Sequence, residues 1–180
     1  MIITISGPPG SGKTTVATIL SQRHDLHLIT TGQMFRAMAR EKGMGLDEFS
    51  AYAAQHHQVD NELDRRVMEE AKRLLAQGRG VVLEGRLAGH MAEAEGLRAF
   101  RVFLNAPLAV RTRRIQGSGR GEEKVSREDI ARRERLEEER YRAIYGLDIT
   151  DLGVYDLTID SSDKTPEAIA DEIADRAGLA

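Results

Sequence analysis

The 180-residue sequence has no cysteine and no tryptophan, and aromatic residues make up only 4% of it. Without cysteine there are no disulfides, no thiolate metal sites and no cysteine nucleophile, and nothing in the chain calls for an oxidising compartment. So few aromatics offer no stacking platform for single-stranded nucleic acid, and Phe35 and Tyr52 are expected to serve packing. No apolar run approaches the roughly 18 residues that span a bilayer, and the opening MIITISG lacks the basic start and apolar length of a signal peptide. The five histidines show no i,i+4 pair with a nearby third ligand, so no metal site built on them is expected. Lys and Arg number 26 against 29 Asp and Glu, a net charge of -3 that advertises neither a nucleic-acid nor an anionic-membrane partner. A cytoplasmic location is the expectation.

What the chain does have is enough length for one domain with a substantial core, and an alternation of buried-strand runs with helical periodicity. Strand-like runs occur at Ile2 to Ser6, Leu26 to Thr30, Gly80 to Glu84, Ala99 to Asn105 and Tyr155 to Asp160. Between them, Asn61 to Gln77 carries Leu63, Val67, Ala71 and Leu74 on one helical face, with Gly78 at the cap position. The last helix is predicted to take Thr165 as its cap and Pro166 at its first position, and to stop at Gly178. Such alternation predicts an α/β fold: a doubly wound, mostly parallel five-stranded sheet with helices on both faces, its ligands bound beyond the carboxyl ends of the strands. One domain over residues 1–180 is expected, since no internal repeat and no Pro/Ser-rich linker interrupts the chain.

Gly7-Pro8-Pro9-Gly10-Ser11-Gly12-Lys13-Thr14 matches G-x-x-x-x-G-K-[ST], following a predicted strand and opening a predicted helix. Glycines at those positions let successive N–H groups turn inward, and the helix adds the positive end of its dipole. Lys13 is then expected to reach the β- and γ-phosphates of ATP, Thr14 to bind Mg2+, and Thr15 to assist at the helix start.

A phosphate loop alone does not separate kinases from switches or motors. Three further segments bear on that choice. Thr31, Gly32 and Arg36 fall near one helix start after the second strand, where a hydroxyl and a guanidinium suit a second phosphate. After the third strand, Glu84, Gly85 and Arg86 face the same crevice. From Arg111 to Arg142 arginines recur on both sides of the Gly-rich stretch Gly117 to Gly121, an arrangement that suggests an Arg-rich lid over about 114–127. Any single one of these arginines also fits a solvated helix laced by i,i+4 pairs with Glu128, Glu134 or Glu138.

Taken together, GPPGSGKTT, TTGQMFR, LEGRLAG at Leu83 to Gly89 and RERLEEERYRAIYGLDI at Arg133 to Ile149 resemble the nucleoside monophosphate kinase family, and within it the short archaeal cytidylate kinases. The resemblance spans essentially the whole chain. It implies transfer of the γ-phosphoryl group of ATP to CMP, and to dCMP, with Mg2+ carried on the donor. It implies that Thr31, Gly32 and Arg36 hold the acceptor phosphate, that Arg86, Arg133 and Arg140 contact the acceptor or the moving phosphoryl group, and that Glu137 orients those arginines. Either Arg111 or Arg114 would lie over the donor nucleotide, and the loop from Asp160 to Pro166 would border the adenine. A monomer is the family expectation.

Bacterial cytidylate kinases carry an aspartate on each side of the Gly-Arg pair, whereas this chain has Glu84 and Leu87 there. Leucine cannot accept from the cytosine amino group, so Asp60 or Asp64 is expected to do so, within an acceptor-binding region of about 31–64. AMP, UMP or a small metabolite remain alternative acceptors, and a nucleic-acid-stimulated or regulatory ATPase is the rival from another class.

Overall fold

The structure, a computed structural model, describes residues 1–119 and 124–179. In chain order, β1 (Ile2–Ser6) runs through the glycine-rich loop into α1 (Lys13–Arg23), and β2 (His27–Thr30) leads to α2 (Thr31–Glu41), α3 (Leu46–Gln55) and α4 (Gln58–Ala76). Next, β3 (Val81–Glu84) is followed by α5 (Ala88–Ala94), and β4 (Phe100–Asn105) by α6 (Leu108–Gln116) and α7 (Arg127–Tyr145). Finally β5 (Leu157–Asp160) feeds α8 (Pro166–Ala177). The strand order is β2-β3-β1-β4-β5 and each neighbouring pair is parallel.

Strand alternation divides the core. Ile3 and Ile5 of β1 and Val82 of β3 face α1 and α8, packing on Val16, Leu20, Ile169 and Ile173. Ile2, Val81 and Leu83 face the opposite side and pack on Val67, Ala71 and Leu74 of α4 and on Tyr141 of α7. Central β1 is buried at every position, while edge strand β5 alternates with solvent. A third apolar cluster, around Phe49, Met38 and Val59, ties α2, α3 and the start of α4 together away from the sheet.

The register aligns Ile5 and Thr30 with Glu84, and Asn105 with Asp160, so the strands end along one edge. Because β1 pairs with β3 on one side and β4 on the other, the crevice opens beyond its carboxyl end, where the winding reverses. The phosphate loop leaves β1 at that point.

Helix ends follow their local chemistry. Thr165 accepts from the Ala168 N–H with Pro166 at the first position, and Gly178 closes α8 at a φ of 72°. Ser126 and Asp129 form a reciprocal capping box on α7. By contrast, α4 starts at Gln58, three residues before the expected Asn61. Val59 is drawn into the Phe49 cluster, and that burial extends the helix backwards without a side-chain cap. Of the lid expected over 114–127, residues 120–123 lie outside the described residues, and Arg114 belongs to α6.

Candidate active site

The loop between β1 and α1 is shaped by contacts that only glycine permits. A Cβ on Gly7, at a φ of 151°, would sit 2.1 Å from the Leu104 carbonyl oxygen. One on Gly10 would sit 2.6 Å from the Arg111 carbonyl oxygen. Gly12, left-handed at a φ of 92°, is the N-cap of α1. Unlike α2, α7 and α8, α1 has no side-chain cap, and its first turn holds no acid. Its leading N–H groups therefore face the crevice uncapped, which is an anion site in waiting. The Ser11 hydroxyl in the same loop is buried without a hydrogen-bond partner.

Those groups line a cavity of about 590 Å³, closed on its other sides by Arg86, Arg133 and Glu137, and by Ser161, Lys164 and Pro166 of the loop between β5 and α8. Its size suits a nucleotide. Lys13 donates to the Pro8 carbonyl at 3.2 Å and lies 3.9 Å from Glu84 Oε1. Burial pulls its ammonium down to about 8, with Arg86 adding to the effect and Glu84 opposing it. A desolvated lysine that has lost part of its proton affinity gains it back when phosphate oxygens arrive, so this cation is built to meet an anion.

Arg86 donates from Nε to Glu137 Oε2 at 2.7 Å, with Nη2 on the same oxygen, and from Nη1 to the Gly7 carbonyl at 3.3 Å. Glu137 thus holds the guanidinium against the phosphate loop. Arg133, one turn before Glu137 on α7, lines the same cavity.

Both arginines expected on the donor side are hydrogen-bonded to main-chain carbonyls. Arg111 is buried, donates to the Ala106 and Pro9 carbonyls at 2.8 and 3.2 Å, and pairs with Glu134. Arg114 donates to the Ser161 carbonyl at 2.6 Å and the Gly10 carbonyl at 3.3 Å. It ties the phosphate loop to the loop after β5, and of the two it is the one that lines the cavity. Their donors go to carbonyl groups just past β4 and β5, of Ala106 and Ser161, and in the phosphate loop, of Pro9 and Gly10, a demand that sequence does not display.

Two other constellations lie outside that cavity. Thr31 begins α2, and a Cβ on Gly85 would come within 2.5 Å of its hydroxyl, so glycine is what lets β3's end approach α2's start. Arg36 folds back over Gly32, its Nη1 3.6 Å from where a Cβ there would stand, and among the described residues no carboxylate pairs with it. A guanidinium so placed, one turn into α2, has the chemistry to meet an anion.

Further along α7, Arg140 Nη2 lies 3.1 Å from Asp60 Oδ1, and the Tyr145 hydroxyl donates to Asp64 Oδ2. Burial pushes Asp64 up to about 6 despite that donation, and raises Asp60 against the pull of Arg140. Tyr145 and Ser161 were not singled out from the sequence, because each acts through a partner far away in the chain, Asp64 and Arg114.

A model of the cytidylate kinase-like family matches residues 2–163. The cytidylate kinase of Methanocaldococcus jannaschii is 44% identical over 170 residues, covering 94% of this chain and 93% of that protein. That of Methanosarcina mazei is 42% identical over 165 residues, covering 89% and 87%.

The chain belongs to the cytidylate kinase-like family.

Among solved structures, shikimate kinase from Bacteroides thetaiotaomicron superposes with a TM-score of 0.66 at 15% identity, covering 99% of this chain and 98% of that one, a likeness of fold alone. Among the described residues no helix is long and apolar enough to cross a membrane, and no cluster of three or more His, Cys, Asp or Glu could hold a metal by itself.

Proposed function

We propose that the protein transfers the γ-phosphoryl group of ATP to CMP, and to dCMP, giving ADP and CDP or dCDP. The observation that carries the chemistry is the meeting of Lys13, Arg86 and the uncapped start of α1 around one cavity, with Thr31 and Arg36 beside it. The choice of acceptor is supported by relatives named cytidylate kinase that match nearly the whole chain.

In this reading, Gly7 to Thr15 cradle the donor phosphates on main-chain N–H groups, and Arg114 and the loop after β5 wall the donor nucleoside. Thr31, Gly32, Gly85 and Arg36 take the acceptor phosphate. Asp60, Asp64 and Arg140 lie toward its base.

Lys13, Arg86 and Arg133 neutralise charge on the moving group, Glu137 keeps Arg86 aimed at it, and Glu84 sits beside Lys13 at the end of β3. The exposed Thr14 hydroxyl in the first turn of α1 lines the cavity and suits a hard cation already held by phosphate oxygens. Mg2+ carried with ATP, held on the protein side by Thr14, would supply further neutralisation of phosphate charge. The second pKa of a phosphate monoester is about 6, so the attacking oxygen is ionised near neutral pH and no general base is required. The protein acts as a cytoplasmic monomer with no nucleic-acid or membrane partner.

The test is ADP formation from Mg-ATP with CMP, dCMP, UMP, AMP or GMP added singly, beside controls with no acceptor and with RNA alone. Strong stimulation by CMP and dCMP is expected. Stimulation by AMP alone would reassign the acceptor, and by RNA alone would overturn the kinase.

A further inference from the structure

Each carbonyl of the phosphate loop from Gly7 to Ser11 is held by a side chain. Gly7 accepts from Arg86 Nη1 at 3.3 Å, Pro8 from Lys13 Nζ at 3.2 Å, Pro9 from Arg111 Nη1 at 3.2 Å and Gly10 from Arg114 Nη1 at 3.3 Å. Ser11 accepts from the Ser161 hydroxyl at 2.8 Å. The C=O and N–H of a planar trans peptide point in opposite directions, so a carbonyl held outward aims the next N–H inward.

Few N–H groups are there to be aimed. Pro8 and Pro9 have none, and that of Ser11 is spent on the Pro8 carbonyl at 3.3 Å. Ahead of Gly12 this leaves the Gly10 N–H, which no main-chain carbonyl among the described residues accepts. It shares its peptide with the Pro9 carbonyl, the one that Arg111 holds. Gly10 lines the large cavity, whereas Arg111 stands on the other side of the loop, in a smaller cavity of about 250 Å³ that it shares with Glu134.

The Arg111 side chain, only 8% exposed, is fixed from two further directions. Its Nε donates to the Ala106 carbonyl at 2.8 Å, and Nη1 and Nη2 together grip the Glu134 carboxylate, Nη2 at 3.3 Å. A two-pronged pair of this kind fixes the plane of a guanidinium as well as compensating its charge. Glu134 lies three residues before Glu137 on α7, about one helical turn. The helix thus presents one carboxylate to the arginine at the mouth of the phosphate loop and another to the arginine at its back.

We propose that Glu134 is a positioning residue for phosphoryl transfer: by clamping Arg111 on the Pro9 carbonyl, it aims the Gly10 N–H at the donor phosphates. The proposal rests on the donor site described under the proposed function and adds a requirement to it, since an N–H stabilises developing charge best when it need not turn at the moment of reaction. Without the carboxylate, Arg111 keeps its charge and its bond to Ala106, and its fork is free to rotate away from Pro9.

The test is Glu134→Gln, which keeps size and one acceptor and loses the charged second limb. In steady-state kinetics kcat is expected to fall about tenfold, less than the roughly hundredfold that misplacement by about 1 Å can cost, with KM for CMP near its wild-type value. In proton–nitrogen correlation spectra of the wild type, the Gly10 amide proton should move downfield when Mg-ADP binds, as an N–H that donates to phosphate does. That movement should shrink in Glu134→Gln, while the Gly12 amide, whose peptide carbonyl is held by Ser161 instead, should respond as in the wild type. A lower thermal midpoint with both amide responses and the kcat of the folded protein unchanged would make Glu134 merely structural and overturn the proposal, as would equal losses at Gly10 and Gly12.

Should Glu134→Gln fail to fold, Glu134→Asp, which withdraws the carboxylate by one methylene, carries the same readings. A smaller Gly10 response beside a normal Gly12 response is expected, and wild-type responses from both amides overturn the clamp. A wild type whose Gly10 amide ignores Mg-ADP refutes the donor site itself. A wild type that responds, with a variant that responds identically, refutes only the role given to Glu134.

Discussion

In the proposed reading the donor side of the crevice is largely main chain: the N–H groups at the uncapped start of α1 and a loop whose glycines are pressed against Leu104 and Arg111. The proposed acceptor side is made of side chains brought from separate elements: Arg36 from α2, Asp60 and Asp64 from α4 and Arg140 from α7, with Tyr145 of α7 holding Asp64. Main chain grips what every nucleoside triphosphate shares, whereas side chains in paired networks distinguish one base from another. The donor side accordingly tolerates little local change, and the acceptor side is where specificity is open to alteration.

The comparison is broken most severely at Lys13. Lys13→Met is expected to lower kcat by about a thousandfold, the scale of losing one preorganised charge at a transition state. Because burial already disfavours that ammonium, the thermal midpoint should hold or rise, and a large fall in the midpoint would mean that the lysine is structural.

On the acceptor side, Gly85→Ala puts a Cβ 2.5 Å from the Thr31 hydroxyl. A displacement of that kind should cost about a hundredfold in kcat/KM for CMP, as misplacement by about 1 Å can. The KM for ATP should stay near its wild-type value, and an equal effect on both substrates would erase the division between the two sides.

Glu137→Gln keeps a hydrogen bond to Arg86 and removes its charge assistance. A fall of about tenfold in kcat is expected from that difference, visible in single-turnover rates and absent from ATP binding.

The smallest effect is on stability. Burial pushes Asp64 from 3.8 up to about 6, so between those values the folded chain keeps a proton that the unfolded chain releases. Stability is therefore lost as pH rises through about 6. Asp64→Asn should remove that loss, worth about 1–2 kcal/mol after allowance for partial exposure. Urea midpoints at pH 4.5 and 7.5 measure it, and parallel pH slopes for both proteins would contradict it.

The same division governs what could be read from the sequence. The phosphate loop was legible in full, since its function lies in glycines at fixed spacing between a strand and a helix, and all five strands form where short apolar runs stand. The Glu137–Arg86 pair was legible only through resemblance, because the two residues are 51 positions apart. The ladder from Asp60 and Asp64 to Arg140 and Tyr145 was half legible. The carboxylates were proposed because Leu87 cannot accept a hydrogen bond, but nothing local to Tyr145 points to Asp64, 81 residues away. Arg111 and Arg114 looked like lid arginines because glycines follow them. Their attachment to Ala106, Gly10 and Ser161 depends on carbonyl groups whose spare valence appears only once the strands have ended.

The central claim, direct transfer between a main-chain donor cradle and a side-chain acceptor site, is tested most directly by following the γ-phosphorus. ATP labelled at that atom and incubated with CMP should give CDP carrying the label in its β-phosphate, with little label in inorganic phosphate. Label released mainly as inorganic phosphate, at a rate indifferent to CMP, would contradict the account and leave an ATPase in its place.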